Sequence, residues 1–171
     1  MKPRELIGKY GIKQLYHFTD ERNIPSIKEH GLLSWKAAQR LGIEVTAPGG
    51  NDWSHEVDDK LGLDEYVHLC MIGEHPMEYL ARAEGRIGET VFLHLDPSVL
   101  EMDGVIFSPG VANKSGVPLL RVAEAVDQMD LDVVYRWLDW RDPEINRRRQ
   151  EARKYEVLVP DCVPTNLIRN L

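Results

Sequence analysis

A histidine flanked by aromatic residues is the first group in the sequence that suggests chemistry. The run Leu-Tyr-His-Phe-Thr-Asp ends at Asp20, and the alternation over 14–18 predicts a short strand. His17 and Thr19 then point to the same side, so the ring and the hydroxyl can both hydrogen-bond ribose hydroxyls or a carboxamide. The residue types alone more commonly describe a half-buried histidine bonded to a backbone carbonyl.

A carboxylate among apolar residues is the second such group. The basic segment 147–154 leads into the run 155–159, which predicts a strand containing Glu156. If Glu156 faces a cleft, burial raises its pKa while nearby cations lower it. It can then stabilise an oxocarbenium-like ribose or take a proton from a nucleophile. The alternative is a solvent-facing glutamate beside a solvated basic helix.

The hydrophobic pattern predicts the elements that must position these two groups. Helices are predicted over 21–29, 34–40, 76–84, 119–140 with a break near Asp130, and 143–153. Strands are predicted over 66–72, 90–95 and 104–107. The segments 42–64 and 108–116 have loop composition, with turn chemistry at 48–52. This irregular alternation favours an α+β fold with a split, mostly antiparallel sheet and peripheral helices.

Composition limits the class of protein. A chain of 171 residues favours one domain, 1–171, and its net charge of −7 argues against a tight, nonspecific DNA binder. There is no apolar run long enough to span a membrane and no secretory signal, so we expect a cytoplasmic protein without membrane contact. Two cysteines imply neither a disulfide framework nor a structural zinc site, and we expect no metal. Since no glycine-rich phosphate loop is present, a nucleotide must be held in another way.

Three segments taken together resemble the DarT-type ADP-ribosyltransferases, bacterial toxins that modify DNA bases. The opening 16–34, with Tyr-His-Phe-Thr at its start, looks like the family's NAD-binding region. The segment 66–77 looks like its central strand and following helix, and 147–160 like its closing segment. The three match in the right order over most of the chain.

The resemblance implies an ADP-ribosyltransferase-like fold and the use of NAD as co-substrate. It assigns NAD contacts to the opening segment, namely to His17, Phe18, Thr19, Ser26 and Ser34, and the essential carboxylate to Glu156. The expected acceptor is a nucleic-acid base in single-stranded DNA, because unstacked bases are easier to reach. A toxin of this type also implies an antitoxin that removes ADP-ribose.

The sequence departs from the family pattern in two places. The family uses an arginine between the opening and the central strand, but no arginine lies between Arg40 and Arg82. We prefer His55 for this catalytic position, although a loop histidine without a role fits as well. In the 108–116 loop a histidine of some relatives is absent. Asn113 and Lys114 are candidates to touch the acceptor there, with plain turn chemistry as the alternative.

Cations in the closing segment are candidates to guide the DNA phosphates. They are Arg147, Arg148, Arg149, Arg153 and Lys154. Trp137 and Trp140, three apart on a predicted helix, are expected to pack against the domain. His68 and His94 are expected to be core or edge residues of strands.

Other functions remain open at this level. The acceptor can be RNA or a protein side chain, and a catalytically silent module that binds NAD or nucleic acid is a further alternative. A pure binder does not need the carboxylate of Glu156, which favours the enzyme.

Overall fold

The computed structural model describes residues 1–50 and 52–171, and these residues form eight α-helices and seven strands. The helices are α1 (Pro3–Tyr10), α2 (Ile24–His30), α3 (Trp35–Leu41), α4 (Asp52–Leu61), α5 (Pro76–Ala83), α6 (Val122–Gln128), α7 (Leu131–Tyr135) and α8 (Pro143–Ala152). The strands are β1 (Leu15–Asp20), β2 (Leu32–Leu33), β3 (Tyr66–Cys70), β4 (Thr90–Leu95), β5 (Ile106–Ser108), β6 (Glu156–Pro160) and β7 (Cys162–Val163). Short 3₁₀ turns cover Glu21–Asn23, Leu63–Glu65, Pro97–Glu101 and Thr165–Leu167.

The strands form a main sheet in the order β4-β1-β3-β6-β5, and β2 pairs with β7 in a small second sheet. Every neighbouring pair is antiparallel. The predicted α+β class with a mostly antiparallel sheet is therefore confirmed. The order also places β1, from the start of the chain, only one strand away from β6, near its end.

Strand β6 shows how the sheet divides a core face from a site face. Val157 and Val159 have no exposed surface and belong to the main core. Leu158 points to the opposite face, where it packs with Leu63 and Ala112. Because side chains alternate along a strand, Glu156 lies on the same face as Leu158. Across the sheet, Cys70 of β3 and Ser108 of β5 flank Glu156 in register.

Most predicted elements are confirmed to within a few residues, including the helix predicted over 34–40, which is capped by Ser34. Its Oγ accepts a hydrogen bond from the Ala37 backbone N–H at 3.1 Å, at the N-terminus of α3. The break near Asp130 is also confirmed, since Asp130 caps α7. Helix α1 was not predicted.

Two predictions are wrong. The segment 42–64 is not a continuous loop, because it contains α4; residue 51 of its turn chemistry lies outside the described residues. Trp137 and Trp140 do not pack against the domain, because α7 ends at Tyr135 and their exposed fractions are 88% and 64%.

None of the helices in residues 1–50 and 52–171 has the length and apolar character that a bilayer crossing requires. Cys70 and Cys162 are both free thiols, the first buried and the second half-buried.

Candidate active site

A cleft of about 270 Å³ opens on the site face of the sheet. Its walls come from β1, β3 and β6 on one side, and from α2, α3, α4 and the loop 43–50 on the other. Most of the residues that the sequence singles out line it, namely His17, Phe18, Thr19, Ser26, Ser34, His55, Asn113 and Glu156. The two ends of the chain thus converge, and the imidazole of His17 and the carboxylate of Glu156 face one cavity.

Glu156 is 5% exposed and is held by contacts to both carboxylate oxygens. Its Oε2 accepts from the Ala112 backbone N–H at 3.1 Å and lies 3.2 Å from His68 Nδ1. Its Oε1 lies 3.4 Å from His75 Nε2. Burial acts to raise the pKa of Glu156, but the two histidines outweigh it and lower the pKa overall. The carboxylate of Glu156 is therefore ionised although it is almost completely buried.

His68 on β3 is the cation that partners Glu156. Its Nδ1 faces the carboxylate, and its Nε2 lies 3.3 Å from the Leu63 carbonyl oxygen. Both ring nitrogens thus face acceptors, which requires a proton on each. Burial acts to lower the pKa of His68, while the hydrogen bond and charge of Glu156 raise it overall. His68 lies on a strand, as expected, and it also lines the cleft and contacts Glu156.

His75 reaches Glu156 from the start of α5 in a fixed tautomer. Its Nδ1 accepts from the Met77 backbone N–H at 3.2 Å and caps the helix. An acceptor Nδ1 leaves the proton of the neutral ring on Nε2, the atom that faces Glu156. Its imidazole is almost completely buried, so this orientation is set by packing as well as by the cap.

His17 has the opposite tautomer. Its Nδ1 lies 2.8 Å from the His68 carbonyl oxygen, so Nδ1 donates and Nε2 keeps a free lone pair. Burial lowers the pKa of His17 to about 4, so the ring is neutral near pH 7. A neutral imidazole that presents an acceptor nitrogen is suited to a sugar hydroxyl. The carbonyl that accepts this hydrogen bond belongs to His68, whose side chain contacts Glu156. One residue of β3 therefore contacts both His17 and Glu156.

Asn23 fastens the loop 43–50 over the cleft. Its side-chain amide donates to the Ala47 carbonyl at 2.8 Å and accepts from the Ala47 N–H at 3.0 Å. It also donates to Thr19 Oγ1 at 3.1 Å, which leaves the Thr19 hydroxyl proton available to a ligand. Asn23 is 8% exposed, so these bonds are shielded from water.

Aromatic rings form two flat surfaces in the cleft. Phe18 lies nearly parallel to His75, with ring centroids 6.0 Å apart. Trp35 stacks on His55 with centroids 4.0 Å apart. Gly50 closes over this second pair, since a Cβ there would lie 3.0 Å from the His55 ring. Planar heterocycles such as nicotinamide, adenine or a DNA base fit against surfaces of this kind.

Asp58 is a second carboxylate in the cleft, one turn after His55 on α4. Burial raises the pKa of Asp58, against the opposing effects of His68 and of a hydrogen bond from Asn113. Its Oδ1 is buried and has no hydrogen-bond partner among the described residues. The loop residue Asn113 thus contacts a carboxylate that lines the same cavity as Glu156.

The cations predicted to contact the acceptor or the DNA phosphates lie away from the cleft. Lys114 is exposed in a turn, and Arg147 and Arg153 on or just after α8 are not among the lining residues. Arg147 pairs with Glu144 at 2.7 Å, and Arg153 pairs with Glu74 at 3.0 Å. The latter pair joins the end of α8 to the loop that carries His75.

Among the described residues that line the cleft there is no lysine or arginine. Arg40, the last arginine before the gap in the family pattern, pairs with Asp161 at 3.0 Å instead. No group of three histidine, cysteine or acidic side chains in residues 1–50 and 52–171 is arranged to hold a metal ion. The polar chemistry of the cleft therefore belongs to histidines, carboxylates, amides and hydroxyls.

Four of the residues that shape the site were not selected from the sequence: Asn23, Asp58, His68 and His75. The pattern contained a signal for His75 only, because a polar residue directly before Pro76 is typical of a helix cap. The other three depend on which strands and loops become neighbours.

Comparison with known proteins gives a consistent result. The sequence model of the family described as "ssDNA thymidine ADP-ribosyltransferase, DarT" matches residues 16–171. A relative from Thermosipho africanus, described as a "DNA ADP-ribosyl transferase-DNA ADP-ribosyl glycohydrolase fusion protein", is 25% identical over 162 residues. The match covers 91% of this chain but 41% of that relative, so the chain spans about two fifths of its length.

Solved structures share the fold. Thermus sp. 2.9 DarT in complex with ADP-ribosylated ssDNA superposes with a TM-score of 0.68 at 20% identity, covering 92% of this chain and 79% of that one. The complex of the same protein with NAD⁺ has a TM-score of 0.59 at 20% identity, with coverages of 92% and 80%.

Proposed function

The chain belongs to the DarT family of ssDNA thymidine ADP-ribosyltransferases, and we propose that it transfers ADP-ribose from NAD⁺ to thymine in single-stranded DNA. It is then an NAD-dependent glycosyltransferase whose single catalytic domain is residues 1–171. The observation that supports this most directly is that His17 and Glu156 line the same cleft. The relatives described as complexes with NAD⁺ and with ADP-ribosylated ssDNA support the choice of both substrates.

The proposed NAD⁺ site is the part of the cleft nearest β1, α2 and α3. The lone pair on His17 Nε2 accepts from a ribose hydroxyl, and the hydroxyls of Thr19, Ser26 and Ser34 donate to the dinucleotide. Phe18 and His75 offer a flat surface for the nicotinamide ring. The anchored loop 43–50 closes the other side.

The proposed chemical step breaks the bond between nicotinamide and ribose. The electron pair of that bond leaves with nicotinamide, which becomes neutral, and positive charge develops on the ribose. Glu156 stabilises that charge because it is ionised and already oriented by His68, His75 and Ala112. No reorganisation of the carboxylate is then needed as the charge appears.

The acceptor side of the cleft is proposed to be formed by α4 and the 108–116 loop. His55 takes the position of the family arginine on this wall, supported by its place in the cleft and its stack on Trp35. Asn113 contacts the acceptor base. Lys114 contacts the acceptor strand beside it. Arg147 and Arg153 contact DNA phosphates outside the cleft, Arg147 from an exposed position and Arg153 from a half-buried one.

A transferase of this kind is proposed to act in the cytoplasm as a toxin or defence effector, because NAD⁺ and bacterial DNA are both present there. The fused relative joins a transferase to a glycohydrolase. We infer that the partner of this chain is an antitoxin that removes ADP-ribose from DNA.

The test is transfer of label from NAD⁺ to oligonucleotides by the wild type, Glu156→Gln and a matched control. Glu151→Gln is that control, because Glu151 is exposed on α8 and contacts Lys154 outside the cleft. We expect single-stranded DNA with thymine to be labelled, Glu151→Gln to be as active as the wild type, and Glu156→Gln to lose at least about 100-fold in rate.

Three results would count against this function. Label on RNA or protein but not on DNA would change the acceptor class, and NAD⁺ binding without transfer would indicate a silent module. Growth inhibition that is equal for the wild type and Glu156→Gln would exclude a toxin based on transfer.

A further inference from the structure

Three carboxylates line the cleft, those of Asp58, Asp64 and Glu156. Asp64 pairs with Lys36 at 3.3 Å, and the other two lie in contrasting environments. Glu156 has contacts on both oxygens, from two histidines and a backbone N–H. Asp58 has one buried oxygen, Oδ1, without a partner among the described residues. The pKa of Glu156 is lowered, and the pKa of Asp58 is raised by burial. Enzymes separate the tasks of two carboxylates by such differences, the anionic one stabilising charge and the more basic one moving protons.

Two histidines near Asp58 are poorly suited to accept a proton. His68 faces acceptors with both ring nitrogens and is already protonated. His75 uses Nδ1 to cap α5 and directs Nε2 at Glu156. Charges on His68, Glu156 and His55 act on the pKa of Asp58, and the side chain of Asn113 acts to lower it. Asn113 of the 108–116 loop and Asp58 of α4 line the same cleft, so both lie at the acceptor wall.

The ADP-ribosylation of thymine needs a group that accepts a proton. In a nucleotide the only ring N–H of thymine is N3, and that proton must leave when N3 bonds to the ribose carbon. We propose that Asp58 takes this proton and that Asn113 orients Asp58 toward the base. This assignment rests on the proposed function and names the general base of that reaction.

The step is balanced without a further reactant. The N3–C1 bond to ribose forms, the ribose–nicotinamide bond breaks, and the electron pair of the broken bond goes to nicotinamide. The N3 proton passes to Asp58 and then to solvent, which the half-buried position of Asp58 permits. The products are ADP-ribosylated thymine, nicotinamide and one proton.

The experiment compares Asp58→Asn with Asp59→Asn. The adjacent Asp59 is a matched control, because its side chain is 67% exposed and contacts Lys36 outside the cleft. For each variant we measure NAD⁺ affinity by calorimetry and the transfer rate to a thymine-containing single strand between pH 5.5 and 9.5. We expect Asp58→Asn to bind NAD⁺ within about threefold of the wild type and to transfer at least about 100-fold more slowly at pH 7.

The pH profile distinguishes a base from a structural residue. With Asp58→Asn the loss should shrink at alkaline pH, where the thymine imide ionises without help. Asp58→Ala should regain part of its activity when formate is added, whereas Asp59→Asn should match the wild type throughout.

The outcomes separate the two proposals. If the wild type transfers to DNA and Asp58→Asn does so equally well, the role of Asp58 is wrong and the proposed function stands. If Asp58→Asn and Asp58→Ala lose NAD⁺ binding together with transfer, Asp58 is structural and the assignment also fails. A wild type that binds NAD⁺ but never labels DNA overturns the proposed function and this assignment together.

Discussion

His17, His68 and His75 all line the cleft, and each has a different set of hydrogen-bond partners. His17 is a neutral ring with its proton on Nδ1, whereas His75 accepts a hydrogen bond at Nδ1 and directs Nε2 at Glu156. His68 is a cation between Glu156 and a carbonyl. The hydrogen-bond partner of each ring nitrogen therefore determines whether that nitrogen acts as a donor or as an acceptor.

His75 combines a structural contact with a positioning contact, and one substitution separates them. Asn at position 75 keeps a side-chain acceptor for the Met77 N–H but removes the Nε2–H that faces Glu156. We expect His75→Asn to unfold within about 1 kcal/mol of the wild type. Its transfer rate should fall at least about tenfold, with the acid limb of the pH profile moved upward because Glu156 loses one of its two histidines.

The check is a pair of measurements, chemical denaturation and the pH profile of kcat. His75→Ala is the comparison, because it loses the cap as well and should lose about 0.5–2 kcal/mol more in the free energy of unfolding. An acid limb that does not move in His75→Asn would show that His75 acts on the helix alone.

His17 gives the protein a stability that depends on pH. Its pKa is about 4 in the folded protein and about 6.5 in an unfolded chain, so between these values the unfolded chain binds a proton that the folded one does not. Stability therefore falls as the pH falls through this window. Relative to His17→Gln, the wild type should lose about 2 kcal/mol between pH 7.5 and pH 5.

Urea denaturation of both proteins at several pH values measures this difference. His68 and Glu156 are present in both, so their own titrations largely cancel. Parallel curves for the wild type and His17→Gln would mean that His17 titrates normally in the folded protein.

The sequence could identify Glu156 and His17, because each is a polar residue placed in a strand-like apolar run, and the resemblance to a family added their roles. It could not identify His68. A histidine at an alternating strand position looks the same whether its neighbour is Glu156 or water. Only the order β1-β3-β6 determines that His68 lies between the two predicted residues. The same holds for Asn23, whose partner Ala47 lies in an irregular loop.

At the scale of the element, α4 is the piece that sequence reasoning missed and the site depends on. Glycine and proline at 48–50 indicate a loop, and the polar residues that follow hide the helical repeat. Helix α4 nevertheless brings His55 and Asp58 to the cleft on one face, three residues apart. If 42–64 were a loop, the positions of His55 and Asp58 relative to each other could not be predicted.

The loop 43–50 is the second element with a measurable role. Asn23→Ala removes the partners of the Ala47 N–H and carbonyl, and burial leaves few waters to replace them. We expect a loss of about 1–3 kcal/mol in the free energy of unfolding. The KM for NAD⁺ should rise more than kcat falls, because in the proposed complex the loop covers the dinucleotide and not the reacting bond.

Thermal unfolding and steady-state kinetics check this prediction. Asn146→Ala is the control, since Asn146 is exposed and its side chain reaches only the Trp140 carbonyl at 3.4 Å. A KM unchanged in Asn23→Ala would show that the loop keeps its position without this anchor.

At the scale of the whole molecule, the antiparallel sheet explains why residues from both ends of the chain share a site. Strand β3 pairs with β1 on one side and β6 on the other, so one central strand joins the opening and closing segments. Composition and periodicity predicted the fold class, because they reflect local preferences. The strand order depends on packing across the whole core, which local patterns do not encode.

The residue types that line the cleft determine how the affinity for NAD⁺ should respond to ionic strength. The described residues of the pocket include no lysine or arginine, and the cationic His68 is paired with Glu156, so we expect a diphosphate to bind without ion pairs that salt can screen. The Kd for NAD⁺ should change by less than about twofold between 50 and 500 mM NaCl. Affinity for a single strand should fall steeply over the same range, because released counterions drive that contact. Calorimetry with each ligand measures how the two Kd values depend on salt concentration. An equal dependence would show that a cation binds the dinucleotide. Both substrates would then dissociate together in concentrated electrolyte.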